Sequence, residues 1–255
     1  MSAEDLLESE QTKEAVMTGP LWDTGRMGWD EFLDTNFSID PIVREEEIPN
    51  FERWLFLNGF RDPDKRHNAF DFSAYKTTKG ETMLGLPPNT NVYAPLPGKI
   101  RRSSFYLHTQ QKKTDWDLHQ AIVAIAHNAQ DTLATEVCHV IPCVKPGDYV
   151  RQGQKIGVVH SSPGEIEGML THVHVSMEEL YPGSAKAITP GPIDPLRVFL
   201  RKGIVNAGIK LERLELPHTG AFLQEELSAH GITTRYKRLA YHILTGSPIR
   251  RMEFE

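Results

Sequence analysis

The chain reads as a mainly β protein: a compact antiparallel sheet or sandwich with an N-terminal extension and a helical C-terminal elaboration. Three observations predict this. Apolar runs have strand length, as in residues 121–127, where Ile122, Val123 and Ile125 alternate with alanines. Glycine and proline turns recur at short spacing; Gly147 and Gly153 bracket a tiny strand that opens into residues 156–159. Residues 136–143 alternate around His139 in the way a half-buried strand does.

Taken in order, residues 1–60 form an acidic lead-in of short helices and extended pieces. Its aromatics, among them Trp22, Trp29, Phe32, Phe51 and Trp54, argue against a disordered tail and for packing on the rest of the chain. Such a lead-in is a structural extension or, less simply, a lid or propeptide. Residues 61–200 form the β-rich domain. Within it, residues 91–100 read as strand, Pro/Gly turn and strand, and residues 161–171 as a polar loop delivering the chain to His172. Residues 201–255 form an accessory segment. Asp194 and Pro195 suit the cap and first position of a short helix, and residues 221–230 suit an amphipathic helix ended by Gly231.

At 255 residues there is length for one large domain with a full core, and 39% hydrophobic with 24% charged residues is globular composition. The net charge of −6 argues against nucleic acid as a partner, because phosphate binding needs a basic face. No apolar run reaches transmembrane length. The acidic N-terminus lacks a basic, then apolar, signal-peptide pattern, so a cytoplasmic location is the default expectation. Cys138 and Cys143 are the only cysteines, which makes a disulfide framework unlikely and fits a reducing compartment.

Chemistry concentrates in Thr171-His172-Val173-His174-Val175. Imidazoles at i and i+2 share a face only on an extended backbone, and the valines then face a core. Upstream, His67 and Asp71 lie four apart, which places an imidazole and a carboxylate on one face of a helix or strand. Both are good Zn²⁺ ligands. Another imidazole would complete three protein ligands and leave a fourth tetrahedral position open, as in catalytic zinc sites. His139 is the further element. If its strand neighbours that of His172, the two imidazoles flank the water that a zinc ion activates.

The order of His67-x-x-x-Asp71, the strand–turn–strand of 92–100, Val137-Cys138-His139-Val140, the Gly147-Asp148 to Gly153-Gln154 hairpin, His172-Val173-His174 and Ile193-Asp194-Pro195-Leu196 resembles the LytM/lysostaphin-type zinc metallopeptidases. The resemblance covers about residues 66–200. It implies that His67, Asp71 and His174 ligate Zn²⁺ and that His139 and His172 are the catalytic pair. It also implies a small antiparallel β fold with the metal in a groove, and a peptide substrate such as a peptidoglycan cross-link. The chain departs from the family at Ala69, where glycine is common, and at Val137 and Val175, where aromatics are common.

Three other readings compete. A zinc-holding binding or regulatory module of the same fold would keep the ligands without turnover. A cupin-like site would pair His172 and His174 with Glu178. A biotinyl or lipoyl carrier would use Lys155 in the glycine hairpin, but it has no use for the histidines.

Overall fold

The protein was analysed as a computed structural model, which describes residues 3–56, 69–104, 121–160, 171–179, 195–204, 212–213 and 249–251. His67, the loop at 161–170 and the helix expected over 221–230 lie outside the described residues.

The centre is a six-stranded antiparallel sheet. In spatial order it runs β10 (Tyr149–Val150), β6 (Gly98–Ser104), β7 (Ile122–Ala126), β8 (Ala134–Cys138), β12 (Val173–Glu178) and β2 (Phe70–Phe72). A three-stranded sheet of β5 (Asn91–Tyr93), β11 (Lys155–Val159) and β9 (Val140–Pro142) lies beside it, also antiparallel. A third sheet is built on β1 (Phe51–Phe56), β3 (Ala74–Thr77) and β4 (Thr82–Leu84). It is edged by two short parallel pieces, β13 (Glu212–Arg213) and β14 (Ile249–Arg251). Described helices are few: α1 (Ala3–Met17), α2 (Trp29–Leu33) and α3 (Pro195–Arg201). The mainly β expectation therefore holds, and α3 begins at Pro195, as its first-turn proline predicts.

Strand alternation sorts the central sheet into two faces. Val123, Ile125, Val137, Val173, Val175 and Met177 are fully buried in one continuous core. Leu21, Trp29, Phe32, Ile42 and Trp54 of the N-terminal segment belong to that same core. The Trp29 indole Nε1–H donates to the Ala134 carbonyl at 2.9 Å, satisfying the one polar atom that burial would otherwise strand. The lead-in thus shares the hydrophobic core with the strands of the central sheet.

One expected strand is broken. Residues 136–143 do not form a single strand: β8 ends at Cys138 and β9 starts at Val140. Between them His139 takes a left-handed backbone, φ 64°, and the chain passes from the six-stranded to the three-stranded sheet. A non-glycine residue pays roughly 1–2 kcal/mol for this conformation, so the surroundings must hold it. The His160 N–H does so in part, donating to the His139 carbonyl at 2.7 Å.

The hairpin glycines have distinct reasons. Gly153 turns with φ 70°, a conformation that costs glycine nothing. Gly157 pairs with Pro142 of β9 so closely that a Cβ would sit 2.4 Å from the Ile141 carbonyl oxygen.

Candidate metal centre

β12 delivers the histidines because it lies between β8 and β2, with its valines anchored in the core. His172, just before the strand, and His174 within it are therefore turned to the opposite face together. Asp71 pairs in register with His174, and Phe70 and Phe72 on either side of it point into the core. That leaves the Asp71 carboxylate on the histidine face.

The contacts are close. Asp71 Oδ1 lies 3.0 Å from His174 Nδ1 and 4.0 Å from His172 Nε2. Asp71 has 0% exposure, His172 3% and His174 18%, so the group is enclosed with one imidazole reaching towards solvent. His139 joins from β8. Simple alternation would send it into the core beside Val137; the left-handed turn instead re-aims it, as a bulge does. Its ring centroid lies 4.4 Å from that of His172 and 6.0 Å from that of His174. One ligand atom from each of His139, His172 and His174 lies within 4.8 Å of the other two, so this triad is able to hold a metal ion.

Zinc fits the arrangement. A buried carboxylate needs a positive partner or a dense set of donors, because its desolvation costs several kcal/mol. Two ligand atoms on one tetrahedral zinc, each about 2.0–2.1 Å from it, lie about 3.3 Å apart. The 3.0 Å between Asp71 Oδ1 and His174 Nδ1 is close to that span. His67, the remaining ligand that the sequence predicts, is outside the described residues.

The same face carries groups beyond the predicted metal ligands and catalytic pair. Cys138 stands directly across from His174, and Glu136 across from Ser176. Burial, then the Glu136 and Glu178 carboxylates, push the Cys138 thiol well above its ordinary pKa, which keeps it protonated and a poor metal ligand. Ser176 donates to Glu178 at 2.7 Å. Continuing the i+2 alternation from His174 would have found both residues. Glu178 is four residues along an extended strand from His174, roughly 13 Å, too far for one ion to span. That removes the cupin-like ligand set.

Two further polar side chains have structural partners. Arg101 meets the buried Asp131 at 2.6 Å. His127 is structural, with its ring nitrogens 3.0 Å from the Pro97 carbonyl and 2.9 Å from the Thr135 hydroxyl. Burial drives its pKa down to about 4.

No protein-family model and no curated protein matches the sequence. Solved structures do match. A zinc-containing peptidase from Vibrio cholerae is 20% identical, with 62% of this chain and 39% of that one covered at a TM-score of 0.38. A putative M23 peptidase from Pseudomonas aeruginosa is 18% identical, with 68% and 54% covered at 0.36. The catalytic domain of lysostaphin from Staphylococcus simulans is 17% identical, with 61% and 97% covered at 0.35. The chain thus spans about two fifths of the first of these proteins and about half of the second. All three likenesses are loose. In the order of its motifs and in the solved structures that match it, the chain is similar to the LytM/lysostaphin-type, or M23, zinc peptidases.

Proposed function

We propose that this chain is a zinc-dependent metallopeptidase that hydrolyses a peptide amide bond, with a peptidoglycan cross-link or a related peptide as substrate. The observation that carries the reading is the fully buried Asp71 carboxylate, 3.0 Å from His174 Nδ1, with the His139 and His172 rings packed beside it. Asp71, His174 and His67 would hold the ion. Bound there, zinc would supply a Lewis acid and lower the pKa of a water to about 7.

The chain's own residues would do the rest. The pairing of β2 with β12 holds Asp71 and His174 side by side, so their ligand atoms would face the ion together. His139 and His172, whose rings sit side by side next to the ligand atoms, would divide two tasks. One accepts the proton as water adds to the carbonyl carbon and returns it to the departing amine as the C–N bond breaks. The other donates a hydrogen bond to the carbonyl oxygen as negative charge grows on it.

The test combines elemental analysis of purified protein with a panel of glycyl and D-alanyl cross-linked peptides. About one zinc per chain and chelator-sensitive cleavage are expected. His67→Ala or Asp71→Ala should abolish metal binding, whereas His139→Ala should keep zinc and lose most turnover. Zinc without cleavage of any peptide would favour a binding module. Full activity in His139→Ala would remove that residue from the mechanism.

A further inference from the structure

His172 and His174 are two residues apart but are held by different parts of the fold. His174 is paired on both sides, with Asp71 of β2 and with Cys138 of β8. His172 precedes the first pair of either ladder, Val173 with Phe72 and His174 with Cys138. What meets the chain there is the link between β4 and β5. The Leu86 N–H donates to the Thr171 carbonyl at 2.7 Å, and the Gly85 N–H donates to the Ser73 carbonyl at 2.7 Å. Gly85 thus closes the base of the β3–β4 hairpin, just beyond the pair of Ala74 with Leu84, while Leu86 grips the residue before His172.

The link is a firm anchor. Leu86 is fully buried in the core, and the Thr90 carbonyl accepts from the Val159 N–H of β11 at 2.8 Å. Its course depends on Gly85, whose φ is 86°. A Cβ there would lie 3.5 Å from the Thr171 backbone nitrogen and oxygen, an ordinary contact, so the cost of a side chain lies in φ. Relieving that strain by turning φ negative swings the peptide between residues 85 and 86, and with it the N–H that holds Thr171. Gly80, in the turn of the same hairpin, has φ 76°, and a Cβ there would meet nothing within 4 Å. Alanine is therefore strained in the same way at both glycines but reaches Thr171 from only one.

We propose that Gly85 and Leu86 are positioning residues for His172. They set where the chain enters β12, and so the aim of the His172 ring, while the ladders on either side set His174 and Asp71. A misplacement of about 1 Å at a group that handles a proton costs up to about a hundredfold in rate, so the link governs turnover from outside the histidine cluster. The inference rests on the zinc hydrolase reading above, in which His172 is one of the catalytic pair.

The experiment compares the wild type with Gly85→Ala, Gly80→Ala and Gly85→Asn, since asparagine enters the left-handed region more readily than alanine. Bound zinc is counted by atomic absorption, kcat and KM are measured on a cleaved peptide, and the imidazole Cε1–H signals of His172 and His174 are followed by NMR. Gly85→Ala should keep its zinc and a wild-type KM, lose about tenfold in kcat, and shift the His172 signal while leaving that of His174. Gly85→Asn should lose only about threefold, and it carries the comparison if Gly85→Ala does not fold. Gly80→Ala should melt below the wild type, as Gly85→Ala does, yet match it in zinc, kinetics and both signals. Equal kcat in the two alanine variants, loss of zinc in Gly85→Ala, or a shift at His174 as large as that at His172 overturns the proposal. A wild type that binds zinc and cleaves no peptide sinks the hydrolase reading instead, and the two imidazole signals then decide the positioning on their own.

Discussion

Acid should weaken this fold through one residue, His127, by an amount that can be worked out. The ring is 1% exposed, packs edge-on against Trp29 at 6.1 Å between centroids, and bonds to Pro97 O and Thr135 Oγ1. A carbonyl only accepts, so Nδ1 carries the proton and Nε2 accepts from the Thr135 hydroxyl. Burial then holds the folded-state pKa at about 4, against 6.5 for an unhindered imidazole. Because the folded value is depressed, the unfolded chain takes up the proton first. The contribution of His127 is therefore complete above pH 6.5 and is lost as pH falls from 6.5 towards 4. The 2.5-unit gap corresponds to about 3 kcal/mol in full, about 2 kcal/mol of it gone by pH 5. Urea unfolding at pH 7, 6, 5 and 4, for wild type and His127→Gln, isolates the term, since other titrating groups act on both. The variant should start less stable, for lack of a fitted ring, and should lose about 3 kcal/mol less across the range. Parallel pH curves for the two proteins would refute the buried, neutral histidine.

Two further expectations concern the backbone. His139→Gly should be more stable than His139→Ala by about 1 kcal/mol, because glycine alone adopts the left-handed conformation without strain, and thermal unfolding compares them directly. Equal melting temperatures would mean that the turn is not held in the folded protein. Gly157→Ala should destabilise by roughly 1–3 kcal/mol, since its Cβ would meet backbone atoms of β9 that cannot step aside. A denaturation midpoint unchanged by that substitution would show that the two strands do not approach so closely there.

Some of this was legible in the residues and some was not, for physical reasons. The hairpin around Gly153 and the shared face of His172 and His174 follow from local rules, turn chemistry and the two-residue period of a strand, and both hold. The break at His139 has no local signature. Left-handed positions are usually marked by glycine or asparagine, and here the turn is imposed by a change of sheet and by a bond from His160. Asp71 was found by its spacing to His67, but its complete burial depends on Phe70 and Phe72 locking β2 against the core. The role of the lead-in was ambiguous because aromatic residues announce packing without naming the surface. The bond from Trp29 to Ala134 supplies that surface.

That bond also has a consequence for how the protein is made. Trp29 and Ala134 are 105 residues apart, and Asp71 and His174 are 103 apart. As the chain leaves the ribosome, the Trp29 indole lacks its hydrogen-bond acceptor until β8 emerges, and Asp71 lacks His174 until β12 follows. Contacts this distant demand large loop closures before they return any stabilisation, so folding should be slow and late. Throughout that interval the core around Trp29 is incomplete, and nascent chains of intermediate length should be the species that need chaperone protection.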